Sequence, residues 1–290
     1  MKKWVSPIPK KVHFIWLGSD PPDYFQKYFL KSFEEHMSEF EFFLWTDKDL
    51  TKSNFPKTYS TIQKIKKIHG QEMYDDDGYQ MFNEKGEPLK YSKWAQITDL
   101  MRVEIVYTYG GYYFDVNFEI VKPLYKLLNN KFKFVGCNEI PRFKNVGSLS
   151  NSFFGATQGN TILKRLVSKE YLDDIDIESF EVANESGPGY LRDGIKQSDN
   201  FKIFPTTHFY PFIEPFDSFN DPPYRKSSKN KCHKTNIKKK TKSVKKLQNK
   251  KGYLVTPCKK YPKSYAIKHW NLGGSWNHHL NYVTYEDERR

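Results

Sequence analysis

Asp115 and Asn117 are two residues apart in the stretch Gly110–Glu119, GGYYFDVNFE, and both side chains carry oxygen atoms. The alternating aromatic pattern of this stretch favours a β-strand. Residues two apart on a strand share a face and are separated by about 7 Å. Two oxygen-bearing side chains placed in this way could bind one divalent cation, or a diphosphate that carries such a cation. They could equally mark a polar strand end that faces only water.

A pair of charged side chains precedes this strand. Asp99 and Arg102 lie within Tyr91–Tyr109, where the apolar residues repeat with the period of a helix. Residues three apart share one face of a helix. The two side chains therefore form either a buried structural ion pair or a ligand site. In a ligand site, Asp99 would accept a hydrogen bond from a ligand hydroxyl and Arg102 would contact phosphate.

Short apolar segments that favour strands alternate with helical segments along the chain. The alternation predicts an α/β fold with a mainly parallel central sheet flanked by helices. Open sheets of this class bind ligands at the carboxyl ends of their strands, where Asp115 is expected. The predicted strands are Lys11–Leu17, Phe40–Trp45, Tyr112–Ile120, Phe132–Cys137, Ser152–Gly155, Phe201–Phe204 and Ser264–Trp270. The other predicted helices are about 21–37, Ser60–His69, 124–128, Thr161–Glu170 and part of Glu185–Gln197, with a loop at Asp75–Pro88.

The positive charge is concentrated in one segment. The formal net charge is +13, and Arg225–Lys251 holds thirteen Lys and Arg residues without an acidic one. The rest of the chain is therefore neutral, and nucleic-acid binding by the folded body is not expected. We predict one domain over residues 1–290, with a flexible Lys-rich insertion at about 221–260. An anionic membrane surface or an anionic acceptor could bind this insertion.

Neither the cysteines nor the hydropathy pattern adds a further site. The three cysteines are widely spaced, so they predict neither a disulfide framework nor a zinc site. The sequence shows no signal-peptide pattern and no apolar run long enough to span a membrane. We therefore predict a protein that is cytoplasmic or peripheral to a membrane.

Two ordered segments carry a family resemblance. Residues 94–102, WAQITDLMR, and 109–117, YGGYYFDVN, resemble the core signature of DXD-containing glycosyltransferases of the family 32 type. That type is related to the catalytic domains of the glucosylating clostridial toxins. Other segments resemble further motifs of the family in the same order: 8–16 (IPKKVHFIW), 45–47 (WTD), 186–188 (SGP) and 269–276 (HWNLGGSW).

The resemblance implies a GT-A fold and a nucleotide-sugar donor, with a UDP-sugar favoured and GDP-mannose second. It also implies a glycan or protein acceptor and retention of configuration. The implied catalytic residues are Asp115, Arg102 and Trp276. The implied donor-binding residues are Trp16, which would stack on the base, with Asp99, Arg102, Tyr113, Asp115, Ser275 and Trp276. The implied metal ligands are Asp115, Asn117 and His269, for Mn²⁺ or Mg²⁺.

Asn117 departs from the family pattern, which has Asp at this position. A neutral amide in place of a carboxylate weakens the binding of a divalent cation. Glu119 or His269 could compensate, or the cation could bind mainly through the donor diphosphate. If neither holds, the chain is a non-catalytic nucleotide-sugar-binding or glycan-binding protein with a degenerate metal site. A metal-dependent nucleic-acid enzyme that uses Asp115, Glu119 and the basic segment ranks lower, because the body is neutral.

Overall fold

The computed structural model describes residues 3–23, 25–74, 78–82, 86–139, 149–179, 182–210 and 264–268. The strands in these ranges are β1 (Lys11–Ile15), β2 (Glu41–Trp45), β3 (Gly111–Phe114), β4 (Phe118–Ile120), β5 (Phe134–Asn138), β6 (Leu149–Ala156), β7 (Phe201–Phe204) and β8 (Ala266–Lys268). The helices are α1 (Leu30–His36), α2 (Tyr59–Ile68), α3 (Trp94–Tyr109), α4 (Tyr125–Leu128), α5 (Thr161–Leu166), α6 (Lys169–Asp173), α7 (Val182–Glu185) and α8 (Pro188–Asp193). A π-helix spans Phe25–Phe29, and two 3-10 turns span Asp47–Asp49 and Thr206–His208.

Six of the described strands form one sheet with the order β2-β1-β3-β6-β5-β7. Strands β1, β2 and β3 pair in parallel, and so do β5 and β7, whereas β6 is antiparallel to both of its neighbours. Five of the six strands therefore run in one direction, which confirms the predicted α/β fold with a mainly parallel central sheet. Strands β4 and β8 form a separate antiparallel pair.

Apolar side chains cover both faces of the sheet. On one face, Tyr112 and Phe114 pack with the aromatic residues of the π-helix and α1. On the other face, Tyr113 packs with the apolar residues of α3 and α5. The helix α3 is buried over most of its length, as its apolar stripe predicts. Its buried residues nevertheless include the charged side chains of Asp99 and Arg102.

Two glycines join α3 to β3. Gly110 and Gly111 have φ angles of +64° and +101°, which side-chain-bearing residues rarely adopt. A Cβ atom on Gly111 would lie 2.6 Å from the carbonyl oxygen of Lys11 on the neighbouring strand. The glycine pair therefore ends the buried helix and lets β3 enter the sheet directly beside β1.

The prediction of one continuous strand over Tyr112–Ile120 is wrong. The backbone N–H of Asp115 still donates to Ser152 on β6, at 2.9 Å. The chain then leaves the sheet through a turn at 116–117, in which the N–H of Phe118 donates to the carbonyl of Asp115. Asp115 and Asn117 therefore do not share one face of a strand, because the strand ends before either of them.

Several other predicted elements are shorter or divided. The first predicted helix is a π-helix followed by α1, the segment at 161–170 is divided between α5 and α6, and the segment at 185–197 contains the end of α7 and then α8. The strand predicted from Ser152 is the longer β6. The predicted loop after α2 contains an isolated antiparallel bridge between Phe82 and Pro88, and a further bridge joins Glu72 to Lys90 on either side of the loop.

Two further predictions concern the Lys-rich insertion and the absence of a membrane span. The Lys-rich insertion at 221–260 lies outside the described residues. Within the described ranges, none of the helices combines the length and the apolar character that a membrane span requires.

Candidate active site

Asp115 lies immediately after β3, at the edge of the sheet where the parallel strands β1, β2 and β3 end. One carboxylate oxygen, Oδ1, accepts hydrogen bonds from the Tyr113 hydroxyl at 2.8 Å and from Nη1 of Arg102 at 3.3 Å. The other oxygen, Oδ2, lies 2.6 Å from Nζ of Lys268. The side chain remains 19% exposed, so a ligand can approach the carboxylate from solvent.

Arg102 lies between two carboxylates. Its Nη2 atom is 3.0 Å from Oδ1 of Asp99, and its Nη1 atom also donates to the backbone carbonyl of Asn151 at 3.0 Å. The guanidinium carbon lies 4.6 Å from the centre of the Tyr113 ring, a distance typical of a cation–π contact. Because all three guanidinium nitrogens have partners, with Nε donating to the Thr98 carbonyl at 3.2 Å, Arg102 is held in one orientation toward Asp115.

Asp99 is the buried carboxylate that pairs with Arg102. Its side chain is fully buried and accepts hydrogen bonds from Nδ2 of Asn151 at 2.8 Å and from Oγ of Ser186 at 3.2 Å. Burial raises the pKa of Asp99 to about 6, although the nearby Arg102 charge acts in the opposite direction. The structure thus shows the buried ion pair, and it explains the SGP motif, whose serine contacts Asp99.

Lys268 was missed by the sequence analysis, although it directly precedes His269, which was predicted as a metal ligand. Strand β8 pairs with β4 so that Lys268 is opposite Phe118. Its side chain is only 7% exposed, and Nζ lies 5.8 Å from the centre of the Phe118 ring as well as against Asp115. This pairing joins two segments that are far apart in the chain, which no local pattern could have revealed.

The protonation state of Asp115 follows from its neighbours. Burial acts to raise the pKa of the carboxyl group, but the charges of Lys268 and Arg102 together outweigh this effect. The pKa of Asp115 therefore lies below its ordinary value, and the carboxylate is charged at neutral pH. Burial also raises the pKa of the Tyr113 hydroxyl well above its ordinary value, so this group donates to Asp115 rather than ionising.

Further polar side chains near the site are Glu139, Ser150, Ser152 and Tyr210. Burial raises the pKa of Glu139, which follows β5, while the charge of Lys268 opposes that increase. Oγ of Ser152 lies 2.8 Å from both Oγ of Ser150 and the hydroxyl of Tyr210. The sequence analysis assigned none of these residues to the site, because residues of these types are common outside functional sites.

Trp16 is positioned by a loop after β1. Its indole N–H donates to Oγ of Ser19 at 3.0 Å, and the N–H of Gly18 donates to Oδ2 of Asp47 at 2.8 Å. Asp47 belongs to the WTD motif, so this motif holds the loop that carries Trp16. Strands β1 and β3 are parallel neighbours, so Trp16 and Asp115 follow strand ends at the same edge of the sheet.

Residues 22–133 match the family model described as "Glycosyltransferase sugar-binding region containing DXD motif". The match includes α3, β3, and the residues Asp99, Arg102, Asp115 and Asn117. Over these residues, which make up less than half of the chain, the chain is similar to glycosyltransferases that contain a DXD motif. In this chain the motif reads Asp115-Val116-Asn117, with an amide in place of the second carboxylate.

Solved structures of glycosyltransferases are also similar to the chain. The PaToxG glycosyltransferase shares 14% identity over 64% of this chain and 68% of its own, with a TM-score of 0.43. The UDP-bound glycosyltransferase domain of the YGT toxin shares 11% identity over 68% of this chain and 80% of its own, with a TM-score of 0.42. The galactosyltransferase LgtC, in complex with donor and acceptor sugar analogues, shares 11% identity over 75% of this chain and 82% of its own, with a TM-score of 0.36. No curated protein sequence matches the chain.

DXD glycosyltransferases typically use a divalent metal ion, and the described residues of this chain do not fit one well. Both oxygens of Asp115 already contact cationic or hydroxyl donors, namely Lys268, Arg102 and Tyr113. Asn117 lies buried in the turn and contributes no charge. The described part of the chain holds no group of three or more His, Cys, Asp or Glu residues arranged for a metal ion.

The remaining predicted site residues are His269, Ser275 and Trp276. All three lie outside the described residues, so their roles stay predictions of the family resemblance. The structure brings together Asp99, Arg102, Tyr113 and Asp115, and adds Lys268, Asn151 and Ser186 to the site.

Proposed function

We propose that this chain is a glycosyltransferase that moves a sugar from a nucleotide-sugar donor to a hydroxyl group of a glycan or protein acceptor. The proposal is supported most by the arrangement of Asp115, Arg102 and Lys268, in which two fixed cations lie beside one accessible carboxylate. The cluster lies at the sheet edge where open α/β folds bind ligands. Asp115 and Arg102 also belong to the sugar-binding region of the family match.

The chemistry of sugar transfer suits these side chains. When the bond between the anomeric carbon and the diphosphate breaks, negative charge develops on the departing phosphate oxygen. Fixed cations such as Arg102 stabilise that charge, and they need no reorganisation because their positions are already set. The acidic Asp115 would meanwhile accept hydrogen bonds from donor hydroxyls. Trp16, at the same sheet edge, offers an indole face for the nucleotide base.

The finer features of the reaction come from the family resemblance. A UDP-sugar is the favoured donor and GDP-mannose is the second candidate. Transfer would retain the anomeric configuration, with the departing phosphate taking the proton of the acceptor hydroxyl. Mn²⁺ or Mg²⁺ on the donor diphosphate, where bound, would neutralise leaving-group charge, and Ser275 and Trp276 would lie near that group. An anionic acceptor or membrane surface for residues 221–260 stays a prediction.

Calorimetric titration of the whole chain tests this proposal. UDP-glucose, UDP-galactose, UDP-N-acetylglucosamine and GDP-mannose are titrated separately, with EDTA and with Mn²⁺, and release of the nucleoside diphosphate is then followed for each donor that binds. We expect binding of at least one donor and its slow hydrolysis. Binding without any hydrolysis or transfer would support a non-catalytic sugar-nucleotide-binding protein. The absence of binding in both conditions would contradict the proposal.

A further inference from the structure

Lys268 contributes a cation from outside the DXD segment. Its ammonium group contacts Oδ2 of Asp115 at 2.6 Å, and its side chain is almost completely buried. The register of β8 against β4, which places Lys268 opposite Phe118, fixes its position. A buried lysine is costly unless it is paired, so the contact with Asp115 is part of the fold rather than a chance surface pair.

The charges around Asp115 disfavour a divalent cation bound to this carboxylate. Lys268 and Arg102 approach its two oxygens from different sides, at 2.6 Å and 3.3 Å. A divalent ion on Asp115 would have to displace Lys268 from Oδ2 or share the carboxylate with two fixed positive charges. The second acidic ligand that would offset this repulsion is absent, because position 117 is Asn.

An ammonium group can contact a carboxylate and a phosphate at the same time. It has three N–H donors and no acceptor, so one donor can hold Asp115 while another reaches a phosphate oxygen. Lysine is an established phosphate-binding side chain that acts as a compact point charge. Lys268 therefore has the charge and the donors that the diphosphate of a nucleotide sugar requires.

We propose that Lys268 takes the place of the divalent cation in this glycosyltransferase, holding the donor diphosphate and stabilising it as it departs. The inference rests on the proposed function for the identity of the ligand. In the step concerned, the bond between the anomeric carbon and the phosphate oxygen breaks, and its electron pair stays on that oxygen beside Lys268. The acceptor oxygen, or water in donor hydrolysis, forms the new bond to carbon, and its proton passes to the departing phosphate. Asn117 then needs no charge, since Lys268 already neutralises Asp115.

The first test uses UDP as the probe and calorimetry of the whole chain in EDTA. Lys268→Met removes the charge and keeps the length of the side chain, and Lys268→Arg restores a cation. Lys202→Met, on an exposed position of β7, is the matched control. We expect Lys268→Met to weaken UDP binding by about 10- to 100-fold, as the loss of one charged hydrogen bond does. Lys268→Arg should recover part of this loss, and Lys202→Met should bind like the wild type.

The second test measures Mn²⁺ directly, by electron paramagnetic resonance of the free ion. The wild-type chain should bind Mn²⁺ at least about tenfold more weakly than the double variant Asn117→Asp with Lys268→Met, which restores a second carboxylate and removes the competing ammonium. Circular dichroism shows that each variant is folded. UDP binding by the wild type that requires Mn²⁺, together with unchanged binding by Lys268→Met, would overturn the inference.

The two proposals fail separately. If UDP binds in EDTA through Lys268 but no sugar is released or transferred from any donor, Lys268 holds the diphosphate in place of a metal ion as inferred, and the transferase proposal falls. If donors are hydrolysed only with Mn²⁺ and equally well by Lys268→Met, the transferase proposal stands and the inference about Lys268 falls.

Discussion

Arg102 and Asp99 form a fully enclosed ion pair, with 3.0 Å between Nη2 and Oδ1, on the helix that precedes the DXD segment. Asn151 and Ser186 donate to the same carboxylate from β6 and from the residue after α7. Three segments of the chain, α3, β6 and the residue after α7, thus meet at one buried carboxylate. The consequence is a rigid guanidinium that faces Asp115 from inside the protein.

Asp99→Ala should destabilise the protein strongly, because it leaves the Arg102 charge buried without its nearest partner. The expected loss in free energy of unfolding is about 3–5 kcal/mol. Asp193→Ala is the control, since Asp193 pairs with Arg192 on the surface and such pairs contribute up to about 1 kcal/mol. Urea unfolding followed by circular dichroism measures both variants. Equal unfolding midpoints for the two variants would show that the buried ion pair stabilises the protein no more than the surface pair does.

Gly111→Ala should disrupt the junction between α3 and β3. The added Cβ would combine the strain of a φ of +101° with a contact of 2.6 Å to the Lys11 carbonyl oxygen. The two effects together predict a loss of at least about 3 kcal/mol. Gly70→Ala isolates the strain alone, because Gly70 has a φ of +83° and open space around it, and should cost about 1–2 kcal/mol. If thermal unfolding showed the same loss for both, the contact with Lys11 would be unimportant.

His13 should make stability depend on pH. Its Nε2 lies 2.9 Å from the carbonyl oxygen of Gly110, and its Nδ1 accepts from the indole N–H of Trp45, so the neutral ring satisfies both partners. Burial, with a smaller contribution from the charge of Lys11, lowers the pKa of His13 to about 4. Because the folded state resists protonation, the stability that the neutral ring contributes is complete above about pH 6.5 and declines as the pH falls toward 4.

His13→Phe provides the comparison, since phenylalanine does not titrate. The difference in unfolding free energy between wild type and variant should shrink by about 2 kcal/mol from pH 7 to pH 5. The difference is used because Asp99, whose pKa is raised to about 6, acts in the opposite direction in both proteins. Urea titrations at four pH values measure it. A difference that is constant with pH would contradict the assignment of a neutral buried imidazole.

The sequence predicted the regular parts of the fold well. The long helix α3 and the strands β1, β2, β5 and β7 follow from local apolar periodicity, which reports burial directly. The break between β3 and β4 did not follow, because aromatic alternation continues across Asp115 to Asn117 while the backbone pairing changes from β6 to β8. Local patterns describe side-chain burial but not the partner of each strand.

The site residues that lie on neighbouring elements of the chain could be predicted from the sequence, whereas those that the tertiary fold brings together could not. Asp99, Arg102, Tyr113 and Asp115 lie on adjacent elements, so their proximity could be inferred from spacing and from the family resemblance. Lys268 reaches Asp115 only through the pairing of β8 with β4, and Ser186 and Asn151 reach Asp99 only through the tertiary fold. Lysine and serine are too common in sequences for their type alone to mark them.

Asp115→Asn tests the site most directly, because it keeps the size and shape of the side chain while it removes the charge and replaces one acceptor oxygen by an NH2 donor. The measurement is the release of nucleoside diphosphate from the donor that the wild type hydrolyses fastest, compared with the surface control Asp193→Asn. We predict that Asp115→Asn lowers kcat by at least about 100-fold, the scale expected for loss of one transition-state contact. The unfolding midpoint should fall, because the buried Lys268 loses its charged partner, and circular dichroism under the assay conditions shows that the variant is folded. Asp193→Asn should leave turnover unchanged. A folded Asp115→Asn variant with turnover within twofold of the wild type would contradict the placement of the active site at Asp115.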